Sequence, residues 1–342
     1  MKDLSFKDFT NKVLTGMSIG IVVALIPGAL LGELAKALNW EFVSQLTTIS
    51  TRLLAVVMGL TIAMQFKLTP IQSATLAITT AIGSGGIKFM DGTLVLAGIG
   101  DVINAGITAA IAVWVMLMIG NRFKAYTILL VPTIVIILVG QLGLIMLPYV
   151  SAFTGFIGQM VNAFTSFTPV VAGILISITF AIMIVSPIST AGVAMAISLA
   201  GIGSGAANLG ICAAGFGLAI AGFKVNGVGT SIAHFLGSPK MQMANMIKKP
   251  KMMLPIVLNA AVCGAFAGIL TIVGTPASAG FGISGLIGPI NHLNIVGYSA
   301  GNLLITVLVF VGIPVVMGFV SSYLFDNKLK LVSAEDYKID FK

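Results

Sequence analysis

The chain has 342 residues, of which 58% are hydrophobic and only 8% charged, with a mean hydropathy of +1.10. Soluble globular chains carry about 25% charged residues, so a water-soluble enzyme is excluded. The 18 Lys and Arg against 10 Asp and Glu give a net charge of +8, which bears on membrane orientation and not on nucleic acid.

Residues 125–223 and 252–325 contain no Asp, Glu, Lys or Arg, whereas one core helix or strand of a soluble protein ends within about 10–20 residues. The runs are continuously apolar and do not alternate with period two, which excludes an outer-membrane barrel. The sequence predicts an all-α polytopic membrane protein, one integral-membrane domain over residues 1–342. About ten transmembrane helices are expected, with re-entrant hairpins and a weak internal duplication.

A spanning helix needs about 20 apolar residues. After a polar start over Met1–Lys12, the first run is Val13–Leu38, interrupted at Pro27-Gly28. Its length predicts a span and not a cleavable signal. Gln45–Phe66 and Pro70–Ser84 follow, then a Gly-rich stretch, Gly85–Gly100, which reads as re-entrant. The fourth and fifth runs are Asp101–Gly120 and Tyr126–Tyr149. Ser151–Phe167 places aromatic and apolar residues at helical spacing and reads as an interfacial helix. Val170–Val185, Pro187–Ile202 and either Ala206–Phe223 or Val228–Ile247 come next. Leu254–Gly274 and Gly301–Phe325 complete the spans, leaving a tail over 326–342.

With the N-terminus cytoplasmic, ten spans return the C-terminus to the cytoplasm. That orientation puts 15 of the 18 basic residues inside, from Lys2, Lys7 and Lys12 through Lys124 to Lys338 and Lys342. Lys36, Arg52 and Lys88 alone lie elsewhere, as the positive-inside rule requires. Arg52 reads as a side chain that snorkels outward.

The duplication rests on three anchors in order. Thr69-Pro70-Ile71 matches Ser186-Pro187-Ile188, Ile82–Gly85 matches Ile202–Gly205, and Gly100–Asn104 matches Gly222–Asn226. They define one repeat over about 45–120 and a second over about 165–247, with C-terminal spans and a hairpin over 254–325.

Transporters place solutes where broken helices expose backbone groups near the midplane. Three candidate breaks, Gly83–Gly86 with Asp101–Asn104, Gly201–Asn208 and Gly274–Asn294, coincide with the repeat anchors. The candidate solute-binding residues are Asp101, Asn104, Asn226, Thr230 and His234, with Ser84, Ser204, Asn208 and His292 near them. Asp101 reads equally as a ligand and as a helix N-cap. Asn104 and Asn226 read equally as solute ligands and as interhelical hydrogen-bonding groups. His234 and His292 pair with no carboxylate in sequence, and a structural histidine is the simpler reading of each. Cys212 and Cys263 read as small buried hydrophobes. Met241, Met243, Met246, Met252 and Met253 lie among lysines and read as a flexible amphipathic surface segment. Gly-Ser-Gly at 83–85 and 203–205 lacks the lysine of a P-loop. No catalytic constellation, cofactor site or metal site is expected.

The ten spans and the stretch Lys224–His234 (KVNGVGTSIAH), together with Gly280–Asn294, resemble the IIC-type permeases of the bacterial phosphotransferase system. The chain is most similar to the divergent branch described as perfringolysin-regulator-like membrane proteins. The resemblance implies a homodimeric, multi-pass carrier of the bacterial inner membrane, with a rigid scaffold and a mobile part bearing re-entrant hairpins. Sugar-transporting members use a glutamate and a histidine near the hairpin. Here Glu33, Glu41 and Glu335 lie outside every candidate hairpin, and no fused IIB domain is expected. The expected function is therefore transport of a small polar solute by alternating access without direct phosphorylation. The alternative is a membrane-embedded solute sensor of gene expression, whose segment Lys240–Lys251 would contact a separate cytoplasmic partner.

Overall fold

A computed structural model describes residues 5–339 except residues 121, 124 and 125. Lys2, Lys124 and Lys342 lie outside the described residues, as do the side chains of Glu33 and Lys36. Long apolar runs satisfy their backbone only within themselves in a bilayer, and helices dominate accordingly. Among the described residues, six helical stretches are long and apolar enough to cross a membrane: Phe6–Gly28, Val102–Ile119, Thr127–Phe164, Gly201–Ala221, Pro250–Ile269 and Ala300–Lys328. A seventh results if Glu41–Arg52 and Leu54–Gln65, bent by 52°, form one span.

The protein is thus an all-α polytopic membrane protein, although its runs divide differently from the sequence reading. Pro70–Gly83 and Pro169–Ile184 are helices of 14 and 16 residues. Residues 187–202 hold only a seven-residue helix, Thr190–Ala196. Tyr149 and the supposed interfacial segment belong to one uninterrupted helix. Gly201–Ala221 has the length of a crossing, whereas residues 228–247 are broken at Gly237.

The described residues group into two compact units. The first contains α1 (Phe6–Ala37) as far as Gly28, then α2 (Glu41–Arg52), α3 (Leu54–Gln65) and α4 (Pro70–Gly83). Thr69 and Gln72 close a capping box on α4, with Pro70 in its first turn, where proline's missing N–H costs nothing. The strands β1 (Ile87–Met90) and β2 (Thr93–Leu96) follow, then α5 (Val102–Ile119), α6 (Thr127–Ile134) and α7 (Gly140–Phe164) as far as Phe153. A Cβ on Gly16 would stand 2.5 Å from the Cα of Ile62, so α1 and α3 meet main chain to main chain. The Thr61 hydroxyl donates to the Gly16 carbonyl across this contact at 2.6 Å, as small-residue packing permits.

Residues 85–100 correct the sequence reading: they form a β-hairpin, with Ile87 opposite Leu96 and Met90 opposite Thr93. Asp91 and Gly92 take φ of +50° and +77°, the mirror-image turn whose twist suits a two-residue hairpin.

The second unit is built around α10 (Gly201–Ala221), in which every residue from Ser204 to Ala219 is buried. Against it lie α8 (Pro169–Ile184), followed by α9 (Thr190–Ala196), and, beyond α11 (Phe223–Leu236) and α12 (Met243–Lys248), α13 (Met253–Ile269). The chain ends in α14 (Ile287–Val296), α15 (Ala300–Val307) and α16 (Ile313–Ser322), then a tail with a short helical turn at Ala334–Tyr337. Asn259 ties α13 to its neighbours, donating to the Ala213 carbonyl on α10 at 3.1 Å and the Pro314 carbonyl on α16 at 3.0 Å. Met241, Met243, Met246 and Met252 are buried, not on a flexible surface. Pro239 and Pro250 break this stretch into short turns, and unbranched methionine fills the irregular space they leave.

The repeat anchors take distinct local forms. Thr69-Pro70 opens α4, whereas Ser186-Pro187 lies between α8 and α9; Ile82–Gly83 closes α4, whereas Ile202–Gly205 opens α10. Asp101 and Gly222 each precede a helix, α5 and α11.

Candidate solute site

Helix α13 ends at Ile269 and the chain resumes helical form with Ser284 and α14, so residues 270–283 are irregular. Gly201 at the start of α10 and Gly274 exchange both backbone bonds, at 2.9 and 3.1 Å. The remaining polar groups of such a segment need partners from within the protein, and side chains supply them. The Ser204 hydroxyl donates to the Thr275 carbonyl at 2.9 Å and lies 3.3 Å from the Ser278 hydroxyl. The Thr275 N–H donates to Asn291 Oδ1 at 2.9 Å and to Ser278 Oγ at 3.1 Å. Asn208 Oδ1 accepts from the N–H groups of Phe281 and Gly282 at 3.3 and 3.0 Å. Thr190 Oγ1 donates to the Gly280 carbonyl at 2.8 Å.

Two side chains remain. Asn208 Nδ2 is buried without a partner. His292 Nδ1 lies 3.1 Å from the Val273 N–H and 3.2 Å from the Val273 carbonyl, so the backbone of residue 273 anchors the ring at Nδ1 in either tautomer. Burial lowers the pKa of His292 below the usual histidine value, so the neutral ring is the one held here. The sequence has no acidic residue over 187–223 or 252–325. The cluster therefore offers amide, hydroxyl and imidazole groups with no carboxylate among them. It can hydrogen-bond a neutral polar molecule but presents no anionic base.

The family model described as "Phosphotransferase system, EIIC" matches residues 11–339. The chain belongs to this family. EIIC is the transmembrane permease component of that system, so the protein is a multi-pass membrane component of a transporter. No curated protein and no solved structure matches the chain.

In this EIIC chain the nine residues singled out from sequence fall into three groups. Ser204, Asn208 and His292 meet at the irregular segment. Asn226, Thr230 and His234 gather around the tail. Asn226 donates to the Tyr337 carbonyl at 2.7 Å and accepts from the Ile339 N–H at 2.8 Å, so both ends of its amide are engaged. His234 Nδ1 donates to the Thr230 carbonyl at 2.8 Å, which leaves Nε2 to accept from Gln242 at 3.3 Å. Gln242 also donates to the Tyr337 carbonyl at 2.6 Å. His234 is fully buried on α11, outside the apolar spans, and burial lowers its pKa to about 4.

The third group belongs to the first unit. Asp101 caps α5, accepting from the Asn104 N–H at 2.9 Å, and takes the Ser151 hydroxyl at 3.4 Å. Asn104 donates to the carbonyls of Gly83 and, at 2.8 Å, Gly143, while its Oδ1 is buried without a partner. Ser84 donates to the Ala81 carbonyl at 2.7 Å and accepts from the Gly86 N–H at 3.1 Å. Arg52 donates to the Leu96 carbonyl at 2.8 Å and so holds the hairpin.

Thr190, Thr275, Ser278 and Asn291 were not singled out from sequence. The last three lie in the recognised break at 274–294, whereas Thr190 was hidden by reading 187–202 as one span. Lys240, which the sensor alternative would have contact a partner, is 5% exposed. Its Nζ donates to the carbonyls of Ser186 and Ile188 at 2.7 and 2.6 Å and lies 3.5 Å from that of Met183. Burial pushes its pKa down to about 7, while the carbonyls oppose the shift by holding the ammonium. Lys249, by contrast, pairs with Asp336 and is turned to the tail.

Proposed function

We propose that this EIIC chain carries a neutral, polyhydroxylated solute of the sugar class by alternating access and releases it unmodified. The observation that carries the reading is the set of groups around residues 272–292. Ser204, Asn208, Thr275, Ser278 and Asn291 hold the irregular backbone, Asn208 Nδ2 remains a buried donor without a partner, and the His292 ring is anchored to the same segment at Val273. Hydroxyl groups accept from such donors and donate to backbone carbonyls in return. The sequence supplies no carboxylate over 187–223 or 252–325 to act as a base toward a solute hydroxyl, which supports release without phosphoryl transfer.

Purified protein in proteoliposomes, loaded with unlabelled hexoses, pentoses or polyols in turn, should exchange one class of labelled solute by counterflow. The recovered label should be the free solute. His292→Gln and Asn208→Ser should weaken exchange about tenfold or more, since a hydrogen bond lost at a buried site costs about 1–3 kcal/mol. With a phosphoryl donor protein and its phosphoryl source supplied, uptake that proceeds only as phosphorylated solute, or unchanged exchange in both variants without them, would refute the assignment. A solute that raises the melting temperature but never exchanges would replace carriage by sensing.

A further inference from the structure

We propose that Lys240 is a tethered cation: its ammonium fills a carbonyl-lined monovalent-cation site at the break between α8 and α9 and so positions the solute site without a bound metal ion. The positioning half rests on the function proposed above. The cation half rests on geometry alone.

The site is built from main chain. Helix α8 ends at Ile184, and the Met183 carbonyl is taken by the Ser186 N–H and hydroxyl at 3.0 and 2.8 Å, which leaves the Ser186 and Ile188 carbonyls beyond the helix as the principal oxygens of the site. The chain then passes through Ser186, Pro187 and Ile188, and the proline supplies no N–H. Lys240 Nζ approaches the Ser186 and Ile188 carbonyls at 2.7 and 2.6 Å, with Met183 at 3.5 Å. These oxygens stand at the negative end of the α8 dipole. Among the described residues no carboxylate forms an ion pair with Lys240. A buried ammonium without a counter-charge persists only where dipoles replace its water, and here the dipoles are carbonyls. In transporters, unwound carbonyls and helix C-termini are the groups that coordinate coupling cations. In this chain a side chain 52 residues further along occupies that position.

The site also reaches the solute cluster through two residues. Ser189 caps α9 by accepting from the Gly192 N–H at 3.0 Å, and Thr190 beside it holds the Gly280 carbonyl at 2.8 Å. Lys240 thus fixes residues 186–188, which fix Thr190, which holds the irregular segment. It touches no solute and is a positioning residue.

The test replaces Lys240→Met, which keeps an unbranched apolar stem and removes the charge. Melting temperature and solute affinity are measured for the full chain in choline, sodium, potassium and methylammonium chloride at equal ionic strength. The wild type should behave alike in all four salts. The variant should melt lower and bind solute about tenfold more weakly in choline, and one or more of the small cations should restore both saturably. Equal behaviour of the variant in all four salts, whether native-like or depressed, overturns the tethered-cation assignment. A variant recoverable only when a small cation is present during extraction supports it, and one recoverable in none refutes it. Restored melting with no solute effect leaves Lys240 as a tethered cation and removes the solute site from around residues 272–292.

Discussion

Gly205→Ala tests whether the contact between α10 and the irregular segment is as close as the coordinates place it. A Cβ at 205 would overlap the Ile272 carbonyl and stand 3.1 Å from the Val273 nitrogen. Alanine in a helix is favoured over glycine by about 1 kcal/mol, so propensity alone predicts a gain. Overpacking costs about 1–3 kcal/mol. Moving residues 272–274 aside also endangers the two Gly201–Gly274 bonds and the Val273–His292 bond, worth about 1 kcal/mol each. With all three bonds lost, the balance is a loss of about 3–5 kcal/mol. Gly217→Ala supplies the control on the same helix: its Cβ would meet only Asn259 Nδ2, at 3.4 Å. That variant should be neutral or gain up to about 1 kcal/mol. Both are read by reversible unfolding in mixed detergent–SDS micelles, with solute affinity measured in parallel. If Gly205→Ala stays within about 0.5 kcal/mol of wild type, the usual scatter of surface changes, the close approach is refuted.

Two further outcomes follow from the groups outside the irregular segment. Asp101→Ala should lose about 1 kcal/mol of stability as a cap removal does, and Asp101→Asn should recover most of it with uptake intact. An uptake loss in Asp101→Asn at unchanged stability would return Asp101 to the solute path. His234 has a folded pKa near 4 against about 6.5 unfolded, so the unfolded chain binds more protons between these values. The stability it supports is therefore full above about pH 6.5 and lost as pH falls to about 4, by about 3 kcal/mol. Amide exchange of residues 333–339 should accelerate over that window, and a slope unchanged in His234→Gln would exclude His234 as its source.

The class of the protein was legible because charge depletion is a property of whole stretches. Local geometry was less so. Asp91-Gly92 between Ile87–Met90 and Thr93–Leu96 is a strong hairpin signal, but in an apolar context the stretch was read as a re-entrant segment. Ser204, Asn208 and His292 were found because they lie at or beside glycine-rich breaks, where backbone needs side-chain partners. Asn226 was picked out by its match in the repeat, yet its partners are residues 337 and 339, more than 100 positions on. Nothing local announces such a pairing. Lys240 was misplaced for a related reason: lysines near a membrane span obey orientation statistics, and burial of one among carbonyls depends on the distant chain.

The helical stretch Ala300–Lys328 has 29 residues, about 44 Å at 1.5 Å per residue. A bilayer's hydrocarbon core is about 30 Å thick. With Ala300 at one edge and the axis along the normal, the hydrocarbon is used up near Phe319. The last turns then carry Tyr323, Asp326 and Lys328 into the headgroup layer, where an aromatic ring and charged termini are at home. The 333–339 segment, whose backbone is gripped by the amides of Asn226, Gln242 and Asn245, follows from that end, so a change in headgroup composition would act on its exposed residues and not on Gln242 and Tyr337, which are buried.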